Sequence, residues 1–121
     1  MLYGYSLSFG KDVGGMIGGL NFIGLNNVGQ IPSDIYATTV PHLTFMTFQG
    51  MFAVISVALI TGAVVERMKF SAILIFPTIW FTIVYCPIAH WIWGGGWLSK
   101  LGALDFAGGN VVHFNAGMAA L

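Results

Sequence analysis

Two long apolar stretches separated by a short polar link dominate the pattern of this chain. The first begins near Pro41 and continues without a charged residue to Val65, and the second follows directly after the link. The first stretch has about 25 residues, or roughly 37 Å as an α-helix, which exceeds the hydrocarbon thickness of about 30 Å. A proline in the first turn favours a helix start there. The pattern therefore predicts two membrane-spanning helices, at 40–65 and 70–92.

The remaining segments differ from these spans in composition. Residues 1–10 are apolar and aromatic, which is typical of the end of a helix, whereas 11–39 are rich in Gly, Asn and Pro and are expected to form a loop. A second loop at 93–108 precedes an apolar run at 109–121. We interpret that run as the start of a third span, which would need roughly ten more residues. The chain is therefore expected to be a piece of a longer protein.

The link at 66–69 determines the expected topology. Because it is so short, the two spans are predicted to be antiparallel neighbours, and Pro77 and Pro87 are expected to bend the second one. The link carries Arg67 and Lys69, and short basic connections lie on the cytoplasmic side of a membrane. Both longer loops are then expected outside.

The composition indicates burial in lipid. Hydrophobic residues make up 57% of the 121 positions and charged residues 7%, whereas soluble domains carry about a quarter charged residues. The formal net charge is zero, so the chain lacks the basic surface that nucleic-acid binding requires. Cys86 is the single cysteine, which excludes a disulfide within the chain. These observations predict an all-α polytopic membrane protein that does not bind nucleic acid.

Three residues on different predicted helices are expected in the outer half of the membrane. Phe48 would lie about 10 Å below the outer end of its helix, Trp93 ends the next span, and His113 lies about one turn into the third. Ionisable residues within spans usually face a pathway or a partner. Each residue also has a plainer interpretation, with Phe48 in core packing, Trp93 as an interface anchor and His113 as a hydrogen-bonding group between helices.

The sequence contains no recognisable catalytic or metal-binding signature. Its three histidines lie on different predicted elements and lack a metal-ligand spacing such as HxxxH. An acidic residue before a Gly-rich helix start, as at Asp105, is most often a helix cap or a dipole partner. We therefore predict that the chain is not an enzyme and binds no metal or cofactor.

Six strings occur in a specific order along the chain, namely YGYSLSFG, FQGMFA, ERMKFSA, PIAHWIWGGGWL, GALDFAGG and VVHFNAG. In this order they resemble successive stretches of the ammonium transporter (Amt/Mep/Rh) family. The resemblance implies a homotrimer whose subunits each have eleven helices around a narrow hydrophobic pore. Residues 1–121 would extend from the end of the second helix to the start of the fifth, in the first of two inverted halves. The chain would then hold about three to four of the eleven helices.

The resemblance implies an external ammonium site. Phe48 matches the outer phenylalanine of the gate beneath that site, and Trp93 matches the tryptophan that flanks it. Asp105 matches the buried acidic residue that supports the site, and Ala107, whose carbonyl group lies beside it, is the fourth match. The resemblance thus places four residues of this chain at the site.

Two further matches lie along the implied pathway. His113 matches the first of the twin pore histidines, and Tyr85 falls where the family has a tyrosine near the mouth. The second histidine, the second gate phenylalanine and the hydroxyl residue of the external site are expected in the other half. Residues 1–121 alone would therefore not complete a pore.

The function implied by the resemblance is ammonium transport across the cell (plasma) membrane. Ammonium would be recruited at the external aromatic site and deprotonated, and ammonia would be conducted through the hydrophobic pore. The alternatives are an Rh-like channel for neutral gas, an ammonium sensor, and a truncated chain that does not conduct. The implied partners are ammonium or ammonia, the lipid bilayer, the other subunits of a homotrimer and, as a candidate on the cytoplasmic side, a PII-type regulator.

Overall fold

Helices form 59% of the residues that the structure describes. The computed structural model describes residues 2–121. Its α-helices are α1 (Gly4–Phe9), α2 (His42–Val64), α3 (Phe70–Trp80), α4 (Cys86–Ile92), α5 (Trp97–Lys100) and α6 (Asn115–Ala120). Two π-helical segments, Phe81–Tyr85 and Gly109–Phe114, and a 3-10 turn at Ile23–Leu25 add to them. Four short strands are β1 (Asp12–Val13), β2 (Ile17–Gly18), β3 (Pro32–Ser33) and β4 (Ala37–Pro41).

Two helical stretches are long and apolar enough to cross a membrane. One is α2, with 23 residues, and the other is Phe70–Lys100, with 31 residues. At 1.5 Å per residue α2 is about 34 Å long, which is sufficient for a hydrocarbon core of about 30 Å. The helix begins at His42 rather than earlier, because Pro41 is still extended, with a ψ of 140°. The proline thus precedes the first helical turn instead of lying within it.

The second long stretch changes its hydrogen-bonding pattern in the middle. α3 ends at Trp80, the next five residues are π-helical, and α4 starts at Cys86. Pro87 is among the first residues of α4 and has no N–H to donate to a carbonyl one turn earlier. We attribute the π-helical turn to this missing donor, because π-bulges are one of the regular ways in which a helix accommodates a break in its hydrogen bonds.

The segment predicted to be a loop, 11–39, contains two small hairpins. β1 pairs antiparallel with β2, with Asp12 opposite Gly18, and β3 pairs antiparallel with β4. Gly14 and Gly15 have φ angles of 64° and 77°, which glycine adopts without the penalty that a Cβ imposes. The Gly-rich sequence indicates the turns, whereas the short strands on either side of them were not predicted.

Buried apolar side chains form two clusters. The larger consists of Ile60, Trp80, Tyr85, Cys86, Ala89, Ile92, Val111 and Ala116. The smaller consists of Tyr5, Phe9 and Met46. Helix α1 lies so close to the first π-helical segment that a Cβ at Gly4 would clash with the ring of Phe81. Glycine at such contacts allows helix backbones to come together where lipid supplies no drive for association.

A group of polar side chains attaches the 11–39 segment to the second long stretch. Asp12 Oδ2 accepts a hydrogen bond from Lys100 Nζ at 2.6 Å, and Asp12 Oδ1 lies 3.0 Å from His90 Nε2. His90 Nδ1 lies 2.9 Å from the Ser8 carbonyl oxygen, so the ring has a hydrogen-bond partner on each side. The hydrogen bonds from His90 and Lys100 lower the pKa of Asp12 to about 2. The carboxylate therefore stays ionised, and the attachment persists, well into the acidic range.

Candidate functional site

An aromatic pocket of about 330 Å³ lies beside the first turns of α2, and we call it the outer pocket. It brings together Phe48, Trp93 and Asp105, three of the six residues predicted for the site. The aromatic rings that line it are those of Phe9, Tyr36, Phe45, Phe48, Phe52, Trp93 and Phe106. A larger cavity, of about 690 Å³, is lined mainly by the loop at 25–35. The outer pocket therefore combines three of the predicted residues with a dense set of aromatic rings.

Phe52 connects Phe48 to Trp93. The centroid of its ring lies 5.0 Å from that of Phe48 and 5.4 Å from that of Trp93, with interplanar angles of 88° and 61°. Edge-to-face contacts of this kind are favourable between aromatic rings. Phe48 and Phe52 are four residues apart on α2 and therefore share one side of the helix. Phe52 was not among the predicted site residues, although its spacing from Phe48 was the signal that could have identified it.

The carboxylate of Asp105 is occupied by backbone N–H groups at the start of the second π-helical segment. Oδ1 accepts hydrogen bonds from Gly108 and Gly109, each at 2.8 Å. Oδ2 accepts them from Asn110 at 2.8 Å and from Val111 at 2.9 Å. A carboxylate has about four lone-pair positions, so these bonds leave none for a ligand. Asp105 can thus contribute a negative charge to the outer pocket without binding its contents directly.

The protonation state of Asp105 follows from two opposing effects. Partial burial raises the pKa of this carboxyl group, but the four N–H donors outweigh the burial and the net pKa lies below the usual value. Hydrogen bonds to the charged form always act in this direction. The side chain is therefore ionised at neutral pH.

The polar atoms of Trp93 and Tyr36 are also engaged. Trp93 Nε1–H donates to the carbonyl oxygen of Asp105 at 2.7 Å, and the Tyr36 hydroxyl donates to the Gly94 carbonyl oxygen at 3.4 Å. Burial raises the pKa of Tyr36, so its hydroxyl stays protonated at neutral pH. These bonds hold both rings in place and leave their π faces as the means of contact with a cation.

His113 lies on the second π-helical segment, and its side chain is exposed. Its Nδ1 is 3.2 Å from the carbonyl oxygen of Gly108. Because a carbonyl oxygen only accepts hydrogen bonds, Nδ1 must carry the proton, and Nε2 of the neutral ring is then an acceptor. The chain thus presents an imidazole nitrogen that can take up a proton on an open face.

Tyr85 and Ala107 do not line the outer pocket. Tyr85 is 4% exposed, and its ring stacks on Phe81 at 5.5 Å. It lines a separate, apolar cavity of about 320 Å³ between α1 and α2, which we call the inner cavity. Tyr85 is two helical turns from Trp93, roughly 12 Å along the axis. Ala107 is exposed and follows Asp105 closely, beside the pocket rather than within its lining.

Helices of this length and polarity place the chain among the polytopic α-helical membrane proteins. In the part of the chain that the structure describes, no three His, Cys, Asp or Glu residues are grouped to hold a metal ion. The chain belongs to the Ammonium Transporter Family, whose model matches residues 1–121.

Relatives and solved structures agree with this assignment. The ammonium transporter of Bacillus subtilis (strain 168) is 54% identical over 121 residues, which are 100% of this chain and 30% of the relative. Ammonium transporter Amt1 of Archaeoglobus fulgidus is 51% identical over 122 residues, with 100% and 28% covered. The crystal structure of Candida albicans Mep2 has a TM-score of 0.88 at 48% identity, over 98% of this chain and 26% of that one.

These comparisons confirm the predicted fold class, a partial bundle of the ammonium transporter type. They also confirm the family that the six strings indicated. The chain spans less than a third of the length of the curated relatives described above. The activity of the whole protein is therefore inferred below and does not follow from this chain alone.

Gly94 permits the close contact between the end of α4 and α1. A Cβ at this position would clash with the Ser8 carbonyl oxygen and the His90 ring. We expect Gly94→Ala to lower the free energy of unfolding by about 1 to 3 kcal/mol, the usual cost of overpacking. The measurement is thermal unfolding of a chimera in which residues 1–121 replace the matching segment of the Bacillus subtilis relative. At Gly62 a Cβ would meet open space, so equal melting temperatures for Gly94→Ala and Gly62→Ala would contradict the prediction.

Proposed function

We propose that the protein containing this chain transports ammonium across a membrane and receives the ion in the outer pocket. The observation that carries the proposal is the combination of the rings of Phe48, Phe52 and Trp93 with an ionised Asp105 whose lone pairs are occupied. Such a pocket attracts a cation by charge and by π faces without fixing it to a carboxylate. Membership of the Ammonium Transporter Family supports ammonium as this cation.

The magnitudes argue against passage of the bare ion beyond the pocket. Moving an ion of this size from water into a medium of low dielectric constant costs of order 20 kcal/mol in the idealised Born limit. One desolvated cation–π contact returns only about 2 kcal/mol. Three aromatic rings therefore cannot compensate for full dehydration. The ion would keep part of its water in the pocket, or lose a proton before it goes further.

Deprotonation resolves this energetic conflict. Neutral ammonia does not pay the Born cost and can cross an apolar segment. His113 lies on the same segment that Asp105 caps, and its Nε2 is free to accept a proton or a hydrogen bond. We propose that ammonia passes His113 and that this histidine relays the proton, so that transport carries charge.

Family membership and exposed apolar surface together support an assignment of the membrane and of the oligomeric state. Exposed side chains on the second long stretch include Phe70 and Leu74, which are 74% and 59% exposed. Apolar surface of this extent is normally covered by lipid or by another subunit. We infer a plasma-membrane homotrimer, in which the exposed link at 66–69 would be the place for a PII-type regulator to bind.

Reconstitution of the chimera into liposomes tests the proposed function. We expect an ammonium gradient to drive a saturable inward positive current, with the Bacillus subtilis relative as the positive control. Lumenal alkalinisation without current would instead support a channel for neutral gas. A folded chimera that shows neither current nor alkalinisation would contradict transport and leave ammonium sensing as the alternative.

A further inference from the structure

Gln49 has a buried side-chain oxygen that lacks a hydrogen-bond partner, at a position shared by the outer pocket and the inner cavity. Its side chain lines both the outer pocket and the inner cavity. The Oε1 atom is buried, and among residues 2–121 it has no hydrogen-bond partner. Buried polar side-chain atoms in native proteins nearly always have a partner, so each exception requires a specific explanation. A ligand that donates a hydrogen bond is one such explanation.

The other polar side chains that line the outer pocket are already in use. Tyr36 and Trp93 donate to carbonyl oxygens. Both oxygens of Asp105 accept two backbone N–H bonds each. Gln49 therefore differs from these three residues, because its carbonyl oxygen is a side-chain acceptor with free lone pairs.

Ammonium has four N–H donors and no acceptor. Aromatic rings can stabilise its charge, but they offer no lone pairs to its protons in the way that a carbonyl oxygen does. We propose that Gln49 Oε1 accepts a hydrogen bond from the ammonium ion in the outer pocket and so sets the affinity of the site. The inference rests on the proposed transport function and adds a binding residue that acts by hydrogen bonding rather than by charge.

Gln49→Met in the chimera is the direct test, because methionine has a similar length and no hydrogen-bonding carbonyl group. A hydrogen bond from a charged donor is worth enough that we expect the KM for ammonium to rise about tenfold, with the maximal current unchanged within about twofold. Thr47→Val is the matched control. Thr47 is exposed two residues earlier on α2, where its hydroxyl donates to the Leu43 carbonyl oxygen. We expect the KM of the Thr47→Val variant for ammonium to equal that of the parent chimera.

Gln49→Glu provides a second, independent test. It keeps an oxygen acceptor at the same distance from the backbone and adds a negative charge, so we expect a KM at or below that of the parent chimera. An unchanged KM in Gln49→Met would overturn the proposal. A lower melting temperature and a lower maximal current at constant KM would show instead that the oxygen accepts a bond from another part of the folded protein.

The two proposals fail in distinguishable ways. A folded parent chimera without current or alkalinisation contradicts the transport function itself. A parent chimera that carries current, combined with a Gln49→Met variant of unchanged KM, contradicts only the role of Gln49. Because KM is measured on whatever active protein reaches the membrane, reduced expression of a variant does not obscure the result.

Discussion

Replacing Asp105 with alanine is expected to abolish the ammonium-driven current of the chimera and to lower its free energy of unfolding by about 2 to 4 kcal/mol. The four N–H groups of residues 108–111 would lose their acceptors. Loss of a helix cap alone costs about 1 kcal/mol, and each buried donor left without a partner adds to this. The first turn of the segment that carries His113 would then no longer be held in place. The outer pocket would also lose its negative charge.

Two variants separate the charge of Asp105 from its hydrogen bonds. Asp105→Asn keeps one acceptor oxygen and removes the charge, so we expect an unfolding free energy between those of the parent and the alanine variant. Asp34→Ala removes an exposed carboxylate of the 11–39 segment and is expected to leave both current and stability unchanged. Parental stability in Asp105→Ala would contradict the capping role.

Acid unfolding gives a further check on the same residue. The pKa of Asp105 is lowered in the folded chain, so its contribution to stability is fully present above the usual aspartate value of about 4. That contribution declines as the pH falls from about 4 through the lowered folded-state pKa. The stability of the parent should therefore fall in this range more steeply than that of Asp105→Asn, as measured by thermal unfolding at a series of pH values.

The long helices were predictable because lipid imposes a length and a composition on them. The charge-free run predicted as a span at 40–65 contains α2, and the one at 70–92 contains α3, the first π-helical segment and α4. The exact start of α2 depended on whether Pro41 adopts the extended or the helical conformation. Both are compatible with a proline φ angle, so the sequence alone did not decide between them.

The π-helical segments could not be read from the pattern of apolar residues. The segment Gly109–Phe114 starts where Asp105 takes up four successive N–H groups. This arrangement depends on the three-dimensional path of the loop and not on a local preference. The two short hairpins of 11–39 likewise depend on contacts with the rest of the chain, including the hydrogen bonds of Asp12 to His90 and Lys100.

The candidate site was predictable in part. Topology placed Phe48 and Trp93 in the outer half of the membrane, and the structure brings both to one pocket. Phe52 and Gln49 follow Phe48 closely, but a uniformly apolar helix does not reveal which of its sides faces a pocket. Only the packing of α2 against its neighbours, chiefly α6 and the second π-helical segment, identifies that side, and the roles of these residues stay predictions until the variants are measured.

Replacing His113 with leucine is expected to reduce the ammonium-driven current about a hundredfold or more and to leave folding nearly intact. Folding should tolerate the change because the side chain is exposed and the Gly108 carbonyl oxygen keeps backbone bonds from Val112 and residue 113. Leucine has no nitrogen to accept a proton, so charge would have to cross the apolar segment as the ion. A rise of only about 3 kcal/mol in that barrier already lowers the rate about a hundredfold.

The control for His113→Leu is the adjacent ring. Phe114 is 65% exposed on the same π-helical segment. Phe114→Leu therefore changes the side-chain volume there without removing a titratable group. We expect the current of this variant to stay within about threefold of the parent, because exposed substitutions away from structurally critical positions have small effects. An undiminished current in His113→Leu would contradict the proton relay. Loss of current together with the appearance of lumenal alkalinisation would locate the effect in proton transfer, because neutral ammonia can pass a leucine whereas the proton relay needs a base.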